Sequence, residues 1–122
     1  MYDGSQWDII HAYNQTNMLR PTITVTTSTY TVDTTGGTND NILVNYAGAC
    51  TITLPTPKLG RQLKIKDISG AASTNNITVS HHGSENIDGS GTYVLNLNYA
   101  GIELVSDGTN WFVIGSYNGT VI

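Results

Sequence analysis

A chain of 122 residues is one domain by length, and with a net charge of −4 it carries charge on only 11 % of its residues, against about a quarter in ordinary domains. That balance argues against sequence-independent binding to nucleic acid, where Lys and Arg must neutralise phosphates, and no apolar run approaches the roughly 20 residues of a membrane helix. One cysteine excludes an internal disulfide, so the fold must stand on packing, with about two-thirds of the unfolded surface buried.

The first segment, Tyr2–Tyr13 (YDGSQWDIIHAY), shares its pattern with Ser106–Tyr117 (SDGTNWFVIGSY). Asp3, Gly4, Trp7, Ile10 and Tyr13 recur at constant spacing as Asp107, Gly108, Trp111, Ile114 and Tyr117, and Asn14 and Thr16 recur as Asn118 and Thr120. The expected organisation is the end of a preceding repeat plus a linker over 1–21, followed by an all-β module over 22–122. No signal-peptide pattern opens the chain.

Within the module, Thr22–Thr27 and Tyr30–Asp33 alternate Thr with Ile, Val or Tyr, the period of a half-buried strand. Residues 34–41 (TTGGTNDN) read as a turn. Ile42–Tyr46 and Cys50–Leu54 are strands, and Pro55–Gly60 breaks the pattern because proline lacks a ladder donor. Gln62–Ile68 places Leu63 and Ile65 on one face and Lys64 and Lys66 on the other. Asn76–Ser80 and Tyr93–Leu97 are further strands, separated by the loop His81–Asn86, a short Ile87-Asp88 and the turn Gly89–Gly91. Last comes a hairpin, Gly101–Ser116, around Asp107-Gly108, since the primed turns that match strand twist need a residue tolerant of positive φ. No stretch has helical periodicity. The expected fold is all-β, an antiparallel β-sandwich or β-prism-like module.

Read in order, YTVDTTGG, TITLPTPKLGRQLKIKD, NITV and IDGSGTYVLNLNYAGIELVSDGTNWFVI resemble a module of bacteriophage tail fibres, tailspikes and other virion appendage proteins. The likeness spans about Tyr30–Ile114, and its markers are Thr51–Pro55, Ile87-Asp88-Gly89 and Asp107–Trp111. The resemblance implies an elongated, usually homotrimeric protein on the virion, outside the cell, whose distal modules contact host-surface polysaccharide. It implies no catalytic site and no cofactor.

Residue chemistry agrees with a non-enzymatic reading. Glycosidases need two carboxylates astride a sugar bond, and only Glu85 and Asp88 are candidates to converge. Asp88 and Asp107 each precede a glycine and are explained by turn chemistry. His81 and His82 are the candidate metal ligands, but adjacent strand residues face opposite ways. The expectation is that no metal is bound. Residues 34–41 offer oxygen ligands without the ordered spacing of a calcium loop. Cys50 reads as a small buried hydrophobe. Lys58, Arg61, Lys64 and Lys66 form the basic cluster, either a solvated edge or a patch for acidic glycans or phosphate. Tyr93 and Tyr99, near turns, are the aromatic ligand-binding candidates, alongside Lys64 and Lys66. Trp111 and Phe112 should face opposite ways, one in the core and one at a subunit contact.

The leading expectation is a structural or receptor-binding module of a viral appendage, working as a homo-oligomer, by resemblance a trimer, with no nucleic acid partner and no membrane insertion. The alternative is a monomeric carbohydrate-binding β-sandwich appended to a secreted enzyme; a glycan depolymerase stands third.

Overall fold

The computed structural model describes residues 20–33 and 39–117. Both the opening segment with Trp7 and most of the 34–41 turn lie outside the described residues. Nine strands are present and no helix among the described residues: β1 (Thr22–Val25), β2 (Thr29–Thr31), β3 (Asp40–Val44), β4 (Cys50–Thr53), β5 (Gln62–Asp67), β6 (Ile77–Ser80), β7 (Thr92–Leu95), β8 (Gly101–Ser106) and β9 (Trp111–Tyr117). They form two sheets, ordered β1-β3-β5-β8-β9 and β2-β4-β6-β7.

The all-β expectation holds. The antiparallel one does not, because both sheets are mixed: β1, β3 and β5 run parallel, as do β2, β4 and β6. From β1 to β6 the chain alternates between sheets, so each strand pairs with the one two places later. A parallel pair normally needs a long crossover, often a helix. Here the strand of the opposite sheet is the crossover, and the result is three stacked coils. The chain then turns back. β7 pairs antiparallel with β6, β8 with β5, and β9 with β8.

The inner faces of the two sheets bury one core, in which Ile42, Ile52, Leu54, Leu63, Ile65, Val79, Leu104 and Trp111 are fully enclosed. Period-2 alternation writes this directly in β3 to β6, where buried and partly exposed residues alternate. Burying a Leu or Ile side chain contributes about 1.5–3 kcal/mol, so these alternating runs supply most of the driving force. Cys50 belongs to this core, and burial pushes its thiol pKa up.

Two carboxylates inside the fold fix the loops. Asp67, at the end of β5, has no solvent exposure. Its Oδ1 accepts from Ser69 N (3.0 Å), Ser69 Oγ (2.7 Å) and Gly70 N (3.1 Å), and its Oδ2 from Ala72 N (3.1 Å) and Tyr99 N (3.0 Å). Desolvation works to raise its pKa, but the donors from Ser69, Tyr99, Ala72 and Gly70 prevail and hold it below the ordinary value. Asp40, opening β3, lies 3.6 Å from the Arg61 guanidinium, both side chains being buried, and Arg61 Nη1 also donates to the Asp33 carbonyl at 2.8 Å. Arg61 thus leaves the basic surface cluster in which proximity in sequence had placed it. Period 2 explains why: Arg61, Leu63, Ile65 and Asp67 share the inward side of one extended run, Lys64 and Lys66 the outward side.

The Ile87-Asp88-Gly89 and Asp107–Trp111 markers meet in space. Trp111 N donates to the Asn86 carbonyl (2.9 Å), Asp88 N to the Trp111 carbonyl (3.1 Å), and Val113 N to Asp88 Oδ1 (3.1 Å). Asn110 Oδ1 accepts from Asn86 N at 2.9 Å. Asp107 Oδ1 accepts from Thr109 N and Asn110 N, closing the hairpin turn over Gly108, whose φ is +95°. Both Asp-Gly pairs are therefore turn chemistry, as expected.

Candidate functional site

The five-stranded sheet has an outer face, and its cross-strand register sorts the side chains there into rows. One row reads Thr22, Asn41, Lys64, Glu103, Gly115, and the next Thr24, Leu43, Lys66, Gly101, Tyr117. A hydrogen bond from Asn41 Nδ2 to Thr22 Oγ1 (3.2 Å) runs along the first row. Two glycines, Gly101 and Gly115, leave the β8–β9 end of this face without side chains. A Cβ at Gly101 would lie 3.2 Å from the Ile65 carbonyl oxygen and 3.3 Å from Lys66 Cδ, and one at Gly115 would lie 2.9 Å from Glu103 Oε2. This face carries a depression of about 160 Å³ lined by Lys64, Lys66, Gly101, Glu103 and Tyr117, with Ile65 and Ile102 beneath.

Polar groups in the depression are held in place. Lys64 Nζ lies 3.3 Å from Glu103 Oε1, and the Tyr117 hydroxyl donates to Glu103 Oε2. That hydroxyl and the Lys64 ammonium hold the Glu103 carboxyl below its ordinary pKa, with Arg20 adding a further positive contribution, while Glu103 raises the phenol of Tyr117. Lys66 Nζ donates to the Tyr99 carbonyl and lies 5.6 Å from the centre of the Tyr99 ring, within cation–π range. Tyr99 has φ +63°, a left-handed conformation rare for a bulky residue. The buried Asp67, accepting the Tyr99 N–H, fixes it there, and the ring lies against Gly70, where a Cβ would come within 2.5 Å of it. The strained backbone of this exposed tyrosine is thus held by a buried carboxylate.

Of the four residues expected to bind ligand, Lys64 and Lys66 line the depression, and Tyr99 contacts Lys66 beside it. Tyr93 does not join them on the outer face. On β7 it pairs with Val79 of β6, packs against the core, and lines a smaller adjoining cleft of about 60 Å³ that shares Gly101, Ile102 and Tyr117 with the depression. Glu103, Tyr117 and the two glycines were not singled out by sequence reading. Their signal was the i, i+2 spacing of Gly101/Glu103 and Gly115/Tyr117, but only the β5–β8–β9 register shows that they stand beside Lys64 and Lys66.

Trp111 and Phe112 do face opposite ways. Trp111 is wholly buried, its indole N–H donating to the Pro55 carbonyl at 3.3 Å, so in this chain it is core; Phe112 is 40 % exposed beside Val105 on the outer face. His81 Nδ1 lies 2.9 Å from the Glu85 carbonyl oxygen, and its ring fits against Gly91. His82 is exposed. Among the described residues no group of three His, Cys, Asp or Glu is arranged to hold a metal. Glu85 ties its own loop, accepting from His82 N (2.7 Å) and Gly83 N (2.9 Å). Desolvation opposes this, but those donors and its own N–H hold its carboxyl below the ordinary pKa. Asp88 is likewise engaged by Val113 N.

No protein-family model matches this chain, and neither does any curated protein.

Proposed function

We propose that this chain is a non-catalytic building block of a viral appendage of the bacteriophage tail-fibre or tailspike kind, displayed on the virion, assembled as a homotrimer and contributing to attachment to host-surface glycans. The observation that carries the reading is the stack of parallel coils closed by an antiparallel hairpin. Such a stack buries its core continuously along one axis, as repeat proteins do. It suits a rigid spacer, and a charge-poor composition suits exposure outside a cell.

Edge strand β9 supplies the expected subunit contact, because Phe112 and Ile114 are both exposed there. Threefold repetition would let weak sugar contacts add through avidity. Light scattering on the whole chain tests the assembly: a mass of three chains is expected, and Phe112→Asp should release folded monomers with unchanged far-UV circular dichroism. A monomeric wild type would remove the trimer and favour the second reading, a monomeric carbohydrate-binding sandwich. That reading draws on the same outer-face depression.

A further inference from the structure

We propose that the depression between β5, β8 and β9 is a binding site for a single acidic sugar residue, a uronate or other carboxylated saccharide within a surface polysaccharide. The proposal rests on the glycan-attachment reading and gives it a place and a ligand class.

Three observations converge on that ligand. First, the floor is backbone and aliphatic, formed by Ile65, Gly101 and Ile102 beneath the side chains of Lys64, Lys66, Glu103 and Tyr117. Second, one tyrosine lines it and another stands next to one of its lysines. Tyr117 lies across the ladder from Gly101, and Tyr99 is held in its left-handed conformation beside Lys66. Each presents an apolar ring with a polar rim, the combination that suits the mixed faces of a sugar. Third, the local charge is opposite to that of the chain. The molecule is acidic overall, yet Lys64, Lys66 and the more distant Arg20 surround one carboxylate, Glu103. Lys64 is engaged by Glu103, and Lys66 by a backbone carbonyl that carries no formal charge. Lys66 is therefore the cation whose charge is available to a ligand carboxylate, in a charge-assisted hydrogen bond. Glu103 accepts from ligand hydroxyls while repelling the ligand's acid group, which turns that acid toward Lys66.

This arrangement makes two substitutions act with opposite sign. Lys66→Gln removes the attracting charge but keeps a donor for the Tyr99 carbonyl; Glu103→Gln removes the repelling charge. Titration of the full chain with an oligogalacturonate, followed by calorimetry, should show saturable binding that weakens with added salt. Binding should weaken about tenfold in Lys66→Gln and tighten in Glu103→Gln. Lys58→Gln, in the exposed 55–60 loop, should leave it unchanged. A neutral maltooligosaccharide should bind more weakly than the uronate, and inorganic phosphate should not compete at equal concentration.

Absence of saturable uronate binding would overturn the proposal. So would equal effects of Lys66→Gln and Lys58→Gln, weaker binding in Glu103→Gln, or phosphate competing as well as the uronate, which would mean a generic anion patch. Molar mass is read on the same samples. A trimer that ignores uronate keeps the building-block reading and removes this site; a monomer that binds uronate does the reverse.

Discussion

Asp67→Asn is the most informative perturbation of the fold, because it replaces a buried carboxylate with a group of the same shape. In the wild type, Oδ1 accepts three hydrogen bonds and Oδ2 accepts two. Whichever way the new amide is turned, its NH2 faces at least two N–H donors and leaves them without an acceptor. Each buried donor left so costs about 1–3 kcal/mol, and the bonds that survive lose the strength of a charged acceptor. Relief of the carboxylate's desolvation offsets part of this, so a loss of about 3 kcal/mol is expected. With a urea slope of about 2 kcal/mol per molar, the unfolding midpoint should fall by about 1.5 M at pH 7. The pH dependence has a definite sign. A carboxyl whose folded pKa is depressed contributes stability that is fully present above its unfolded pKa, about 3.9, and is lost as pH falls through the lower folded value. The gap between wild type and variant should therefore be widest at neutral pH and close below about pH 4. A gap under about 0.5 kcal/mol at pH 7, within the range of ordinary surface substitutions, would refute the reasoning. So would a gap that stays constant into strong acid.

Two further substitutions address the neighbouring devices. Arg61→Ala should cost roughly 3–5 kcal/mol in the same urea assay, because Asp40 then stays buried without the guanidinium beside it; a cost below about 1 kcal/mol would place the pair in solvent. Gly70→Ala puts a methyl group into the Tyr99 ring at a φ of +72°. It should cost about 1–2 kcal/mol from the backbone alone and should shift the Tyr99 ring resonances in NMR spectra; unchanged resonances would mean the ring does not pack there.

How legible all this was from sequence depended on which interaction did the specifying. Strands announced themselves wherever period 2 was clean, as in Gln62–Asp67, and the β8–β9 hairpin was marked by Asp107-Gly108. Strand direction was not legible. Alternation of Thr with Ile or Val reads the same in a parallel ladder as in an antiparallel one, and only the Asp107-Gly108 turn named its own partner strands. Arg61 was grouped with Lys64 and Lys66 by closeness along the chain, whereas parity along the extended run separates them. Asp67 stood in the same register as Leu63 and Ile65, so its burial was available to be read. Its role was not, since four of its five donors are backbone N–H groups, which leave no trace in residue identity. The depression was half legible: Lys64 and Lys66 carried recognisable chemistry, whereas Glu103 and Tyr117 join them only through the strand register.

The two ends of the coil stack are not equivalent. Among the described residues, β1 and β2 lie at one end, with Pro21 immediately ahead of β1; at the other the chain has folded back through β7, β8 and β9. A segment that made one more pass through both sheets would extend the first end by the spacing of neighbouring strands, about 4.8 Å, while leaving the hairpin, Asp67 and the outer-face depression as they are. The number of coils and the geometry of the outer-face depression are thus set by separate parts of the chain, so a fold of this kind can lengthen in fixed increments without disturbing that face.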